Sequence, residues 1–119
     1  MDSAPRLSLN ESHVRLAHAV REHLDAHMDR RVTLEQLFER FHASGTQIKV
    51  AYRETFGVSV YADTRARKMR AAARLLRETG LSVLEIAGRL GYDNASKFAA
   101  AFRSVYGVSP TEYRSSVEG

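Results

Sequence analysis

The stretch Ser82–Tyr113, SVLEIAGRLGYDNASKFAAAFRSVYGVSPTEY, decides the fold. Ser82 and Glu85 have the spacing of a reciprocal capping box, just ahead of the apolar set Leu84, Ile86, Ala87 and Leu90. Gly91 follows as a left-handed stop, because glycine takes that conformation without a Cβ penalty. Asp93 or Asn94 can then cap a second helix whose stripe is Phe98, Ala101, Phe102 and Val105. Gly107 ends it, and Ser109-Pro110-Thr111-Glu112 opens one last turn with a cap, a first-position proline and a third-position glutamate. Two helices joined by so short a turn, the second with a bare polar face, make a helix-turn-helix pattern; an ordinary helical hairpin is the plainer alternative. Opposite the stripe stand Ser96, Ala99, Ala100 and Arg103, the residues that would enter a major groove.

Working outward, the same pattern occurs once more upstream. Thr33 with Gln36 repeats the capping-box spacing before Leu34, Leu37, Phe38 and Phe41. Ser44 with Gln47 opens a helix with the stripe Ile48, Ala51, Tyr52 and Thr55, ended by Gly57. Leu34/Leu84, Glu35/Glu85, Ala51/Ala101, Arg53/Arg103, Gly57/Gly107, Val58/Val108 and Ser59/Ser109 all differ by 50, which reads as an internal duplication in one register. The exposed face of the first copy is then Thr46, Lys49, Val50 and Arg53. Glu35 and Glu85, both at helix starts, read as structural rather than as a catalytic pair.

Between the copies, Val60 to Glu78 reads as one long helix with Met69, Ala72, Ala73 and Leu76 buried. Lys49 to Arg77 carries eight basic and two acidic residues, net +6, whereas the whole chain is +4. Positive charge is therefore focused as a polyanion-binding surface requires, although a solvated basic face has the same composition. A helix of this length spans roughly 27 Å. Successive major grooves on one face of B-DNA lie about 34 Å apart, so two reader helices near its ends would enter adjacent grooves from the same side of the molecule.

Ahead of the duplication, Asn10 to Met28 reads as a first helix, with Asn10 a plausible cap and Val14, Ala17, Val20 or Arg21, Leu24 and Met28 recurring at helical spacing. His23 and His27, four apart, are the single hint of a metal site. No third ligand is fixed nearby, and solvated histidine is the plainer reading. The 119 residues suit one domain, or two very small ones on a shared scaffold. At 44% hydrophobic and 27% charged, with no cysteine and two prolines, the chain reads as an all-α intracellular domain. No apolar run approaches the roughly 20 residues of a membrane span, and the start lacks a secretory apolar segment. With no nucleophile–base arrangement and no phosphate loop, an enzyme is not expected, nor is a cofactor or metal.

Val32 to Arg114, roughly 70% of the chain, resembles the DNA-binding domain of the AraC/XylS family of bacterial transcription regulators. The resemblance rests on Leu34-Glu35, Phe56-Gly57, Arg67-Lys68-Met69, Ala73-Arg74-Leu75-Leu76, Ser82 to Ala87, Gly91-Tyr92, Phe98, Ala101-Phe102-Arg103 and Gly107 to Arg114. It implies two helix-turn-helix units on a linker helix, bound to promoter double-stranded DNA in the bacterial cytoplasm and nucleoid. It also implies recruitment of RNA polymerase, as activators do, and fusion to an N-terminal sensor absent here. The expected partition is an N-terminal helix over 1–31, a first unit over 32–59, a linker helix over 60–78 and a second unit over 79–119. Phe56 to Tyr61 leans toward the subgroup that senses iron-siderophores.

The expected base contacts are Thr46, Gln47, Lys49 and Val50 in the first unit and Ala95, Ser96, Ala99 and Ala100 in the second. The expected phosphate contacts are Ser44, Arg53, Arg65, Lys68, Asn94, Lys97, Arg103 and Arg114. Two departures from the family pattern stand out. Asp63 and Thr64 occupy positions usually aromatic and aliphatic, which predicts looser packing of the first unit on the linker. Ala100 replaces a frequent bulky polar residue, leaving a reader helix that touches thymine methyls but forms few hydrogen bonds. The rival function is a basic helical module for a protein partner or an acidic membrane surface.

Overall fold

In a computed structural model, which describes residues 3–118, every regular element is a helix. These are α1 (Ser3–Ala26), α2 (Leu34–Phe41), α3 (Gly45–Phe56), α4 (Val60–Glu78), α5 (Val83–Arg89), α6 (Ala95–Tyr106) and α7 (Pro110–Glu118). The all-α expectation of two helix-turn-helix units holds. The first helix is longer than its apolar repeat implied, starting at Ser3 with Asn10 inside it rather than at its cap. Pro5 falls in the first turn, where a missing N–H costs nothing. The last helix is also longer than one turn, running nine residues from Pro110.

The chain folds as two compact units, residues 1–26 with 32–64, and residues 27–31 with 65–119. In the first, α1 supplies Val20 and Leu24 to a core completed by Leu37, Ala43, Ile48 and Tyr52. In the second, Met69, Ala72, Ala73 and Leu76 of α4 pack with Ile86, Ala87, Leu90, Phe98, Ala101 and Phe102. Tyr106 stacks on Phe102 with centroids 4.7 Å apart, and Tyr113 meets Phe102 edge-on at 5.4 Å. Not every stripe position is buried: Val14, Phe38, Leu84 and Val105 are exposed.

The helix ends are capped as their residues dictate. Thr33 and Ser82 form reciprocal boxes with Gln36 and Glu85, and Ser109 does so with Glu112. Accepting the Ser82 and Ser109 amides holds the Glu85 and Glu112 carboxyls below their usual range. Ser44 Oγ accepts from the Gln47 amide at 3.1 Å and Asn94 Oδ1 from the Lys97 amide at 2.8 Å, so Asn94, not Asp93, is the cap.

These caps correct the single register of 50. Thr33 and Ser82 are offset by 49, as are the left-handed residues His42 (φ 56°) and Gly91 (φ 82°). The caps Ser44 and Asn94 and the terminators Gly57 and Gly107 are offset by 50. The second turn is therefore one residue longer, with Asp93 as the addition. Leu34/Leu84 and Glu35/Glu85 are not equivalent positions: Glu85 closes a capping box, as Gln36 does, and Leu84 is exposed whereas Leu34 packs on the core.

At Asp63, one of the two positions expected to loosen the packing, a polar contact stands in place of an apolar one. Asp63 is buried in the first unit, accepts the Tyr52 hydroxyl, and is paired with Arg21 at 3.0 Å from Nη2 and 3.1 Å from Nε. A carboxylate with three donors replaces apolar packing there. Thr64 gains nothing comparable, for its Oγ1 is buried without a hydrogen-bond partner.

Candidate nucleic-acid interface

In each unit the second helix of the pair divides into two faces. On α3, Ile48, Ala51 and Tyr52 are buried, whereas Thr46, Gln47, Lys49, Val50 and Arg53 are exposed. On α6, Phe98, Ala101 and Phe102 are buried, Ser96, Lys97, Ala100 and Arg103 are exposed, and Ala95 and Ala99 are half-buried. Both helices start on a side-chain cap and end on a left-handed glycine, so each presents an N-terminal turn of rigid geometry. The α3 face carries the long side chains Gln47, Lys49 and Arg53, whereas on α6 the small Ala95, Ser96, Ala99 and Ala100 are accompanied by Lys97 and Arg103. Arg103 also reaches Glu112 at 3.7 Å, a contact between two exposed groups.

The cationic residues outside these helices are held differently. Lys68 is half-buried, donates to the Arg30 carbonyl at 3.1 Å and stands 5.8 Å from the Tyr92 ring centroid. Burial pushes its ammonium below the usual lysine range. Arg114 donates from Nε to the Leu76 carbonyl at 3.1 Å and from Nη2 to the Thr79 carbonyl at 3.2 Å, closing the C-terminal end of α4. Arg65 is half-buried on α4. Arg70, Arg74 and Arg77 form the exposed stripe of α4; Arg74 meets Glu78 at 3.4 Å and Arg77 donates to the Tyr113 hydroxyl at 2.8 Å. Ser44 and Asn94 use their side-chain oxygens as caps.

The histidine pair is not brought onto one helix face. Helix α1 ends at Ala26, before His27, and the His23 ring lies edge-on to Phe41 at 5.9 Å. Among the described residues no cluster of three histidine, cysteine or acidic side chains could hold a metal ion. Among them, too, no helix is long and apolar enough to cross a membrane.

The arrangement that sequence reading missed is Arg21, Tyr52 and Asp63. Arg21 occupied an apolar position in the first helix, and Asp63 an apolar one in the fourth. Two opposite charges on core faces were the available signal.

Comparison with known proteins agrees with this architecture. A family model described as a helix-turn-helix domain matches residues 37–116. An uncharacterized HTH-type transcriptional regulator of Escherichia coli K12, YdiP, is 37% identical over 84 residues, 71% of this chain and 28% of that protein. The xylose operon regulatory protein of the same organism is 28% identical over 88 residues, 74% of this chain and 22% of its own length. The chain thus spans well under half the length of these relatives. Among solved structures, the C-terminal domain of the response regulator AraT from Geobacillus stearothermophilus superposes with a TM-score of 0.82 at 31% identity, covering 85% of this chain and 84% of that one. The DNA-binding domain of AdpA, solved with a target DNA, superposes with a TM-score of 0.77 at 29% identity, covering 85% and 90%. These relatives are regulators and DNA-binding domains rather than enzymes, and with two capped helix pairs, their polar second helices and a matching family model, the chain belongs to the AraC-type helix-turn-helix domain family.

Proposed function

We propose that this domain binds promoter double-stranded DNA as the reading part of a bacterial transcription regulator, with α3 and α6 entering successive major grooves. The observation that carries the reading is the division of α3 and α6 into a buried face and a rigid, capped, solvent-facing one. The likeness to a domain solved with its target DNA supports it. Thr46, Gln47, Lys49 and Val50 then face base edges in one half-site and Ala95, Ser96, Ala99 and Ala100 in the other. Ser44, Arg53, Asn94, Lys97 and Arg103 lie at phosphates, joined by the half-buried Arg65, Lys68 and Arg114. In the cell the domain would work in the cytoplasm at the nucleoid, activate by contact with RNA polymerase, and take its signal from an attached sensor. The Phe56–Tyr61 phrase favours an iron-siderophore signal.

The readers contribute unequally in this proposal. A bidentate contact from α3 discriminates by about 1–3 kcal/mol, whereas alanine offers only a methyl contact with thymine. Selection from random duplex DNA should return one sharp half-site and one degenerate or AT-rich half-site. Lys49→Ala should relax the sharp half, Ser96→Ala should change the other only slightly, and Ala100→Arg should sharpen it. A wild-type selection with no preferred sequence points instead to a basic module for another partner. A sharper half-site under α6 overturns the unequal assignment.

A further inference from the structure

We infer that Arg21 of α1 is a positioning residue for α3, setting the rotation at which that helix presents Thr46, Gln47, Lys49 and Arg53; the inference rests on the DNA-reading role of α3 proposed above. Three helices of the first unit converge on one carboxylate. Arg21 reaches Asp63 from α1, at 3.0 Å and 3.1 Å from two guanidinium nitrogens, and Tyr52 reaches it from α3 through its hydroxyl. The guanidinium carbon also lies 3.5 Å from the centroid of the Phe56 ring on α3, and 5.9 Å from that of Tyr52. Tyr52 and Phe56 contact each other edge-on at 4.8 Å, and His18 of α1 closes on Phe56 at 5.0 Å.

Tyr52 and Phe56 are four apart, so they hold one stripe of α3 at two heights. Apolar packing alone leaves a helix free to roll by small angles. A guanidinium edge whose two nitrogens meet one oxygen of a buried carboxylate, with its central carbon over an aromatic ring, is directional and resists that roll. The exposed residues are displaced from this stripe by fixed helical angles, Lys49 three before Tyr52 and Arg53 three before Phe56. A roll of about 20° carries a side-chain tip on a roughly 6 Å radius through about 2 Å. That displacement exceeds what a bidentate hydrogen bond tolerates. Arg21 thus touches α3 through Tyr52 and Phe56 rather than through the exposed residues themselves, yet fixes where they point.

The test uses the full chain with Arg21→Met, which keeps the stem and removes the fork, and Arg21→Lys, which keeps the charge alone. A third variant, Arg21→Met/Tyr52→Phe/Asp63→Leu, makes the node apolar so that a folded protein is available should Arg21→Met unfold. Two quantities are read at a temperature where circular dichroism shows each variant folded. One is the set of residual dipolar couplings of the α3 amides relative to α1, and the other is the site selected from random duplex DNA. For Arg21→Met and the triple variant the α3 couplings should change. Discrimination should fall at least tenfold in the α3 half-site while the α6 half-site and the salt slope stay as in wild type. Arg21→Lys should lie between. Unchanged couplings with unchanged preference, in either folded variant, overturn the inference and leave Arg21 a stabilising residue only. Loss of preference in both half-sites overturns it too. A wild type without any preferred sequence ends the DNA reading, and the couplings then still decide whether Arg21 orients α3.

Discussion

His42 ends α2 with φ 56°, where Gly91 holds φ 82° at the equivalent place of the second unit. A side chain in this conformation costs roughly 1–2 kcal/mol, part of which glycine returns as extra unfolded-chain entropy. His42→Gly should therefore stabilise the protein by about 0.5–1 kcal/mol. Gly91→Ala should be worse than the backbone penalty alone, because a Cβ there would lie 3.0 Å from the Arg30 backbone. Thermal unfolding of the two variants should shift in opposite directions. At Tyr52, burial first, and then donation to Asp63, pushes the phenol from its ordinary 10.0 up to about 12. The folded state thus favours the neutral phenol. Its contribution is fully present below pH 10 and is lost as pH rises toward 12. The urea midpoint of wild type should fall over that window more steeply than that of Tyr52→Phe.

At the scale of elements, α4 depends for its C-terminal end on a residue 35 to 38 positions away. Arg114 donates to the Leu76 and Thr79 carbonyls, and a cation at this end also complements the helix dipole. Hydrogen bonds from charged groups contribute about 1.5–3 kcal/mol each before strain and exposure reduce them, so Arg114→Met should cost about 2 kcal/mol in urea unfolding. Amide exchange should quicken in the last turn of α4 and the start of α7 ahead of other helices. Uniform quickening would show that Arg114 supports the whole second unit rather than that helix end.

For the whole molecule, the relevant quantity is where the positive charge is free to meet a polyanion. Net charge from Lys49 to Arg77 exceeds that of the entire chain, yet Lys68 is half-buried on a backbone carbonyl. Arg53 and Lys97 are exposed on the reader helices. Arg53→Ala and Lys97→Ala should each reduce the slope of log K against log salt by about 0.9. Lys68→Met should lower stability and reduce that slope by less than either of the other two, because the Arg30 carbonyl already holds the ammonium. A slope that falls with Lys68→Met but not with the other two would reassign the phosphate contacts to α4.

The helices of the two units and their caps are legible in the sequence because each is a local signal. Ser82 with Glu85, Asn94 before Ala95, and Gly107 after Tyr106 act within four residues of where they stand. The polar faces of α3 and α6 follow from the same periodicity, so the candidate contact residues could be named before any coordinates. Tertiary structure decided what lies beyond a helix turn. The extra residue Asp93 hides in one turn, and similar residues at Leu34/Leu84 and Glu35/Glu85 disguise it until the left-handed positions are seen. Asp63 looks like a packing defect until Arg21, 42 residues earlier, is found beside it. Lys68 and Arg114 read as generic cations, yet each is held by a carbonyl 35 to 38 residues distant. Such pairings depend on how helices cross, and side-chain periodicity along one helix carries no record of that.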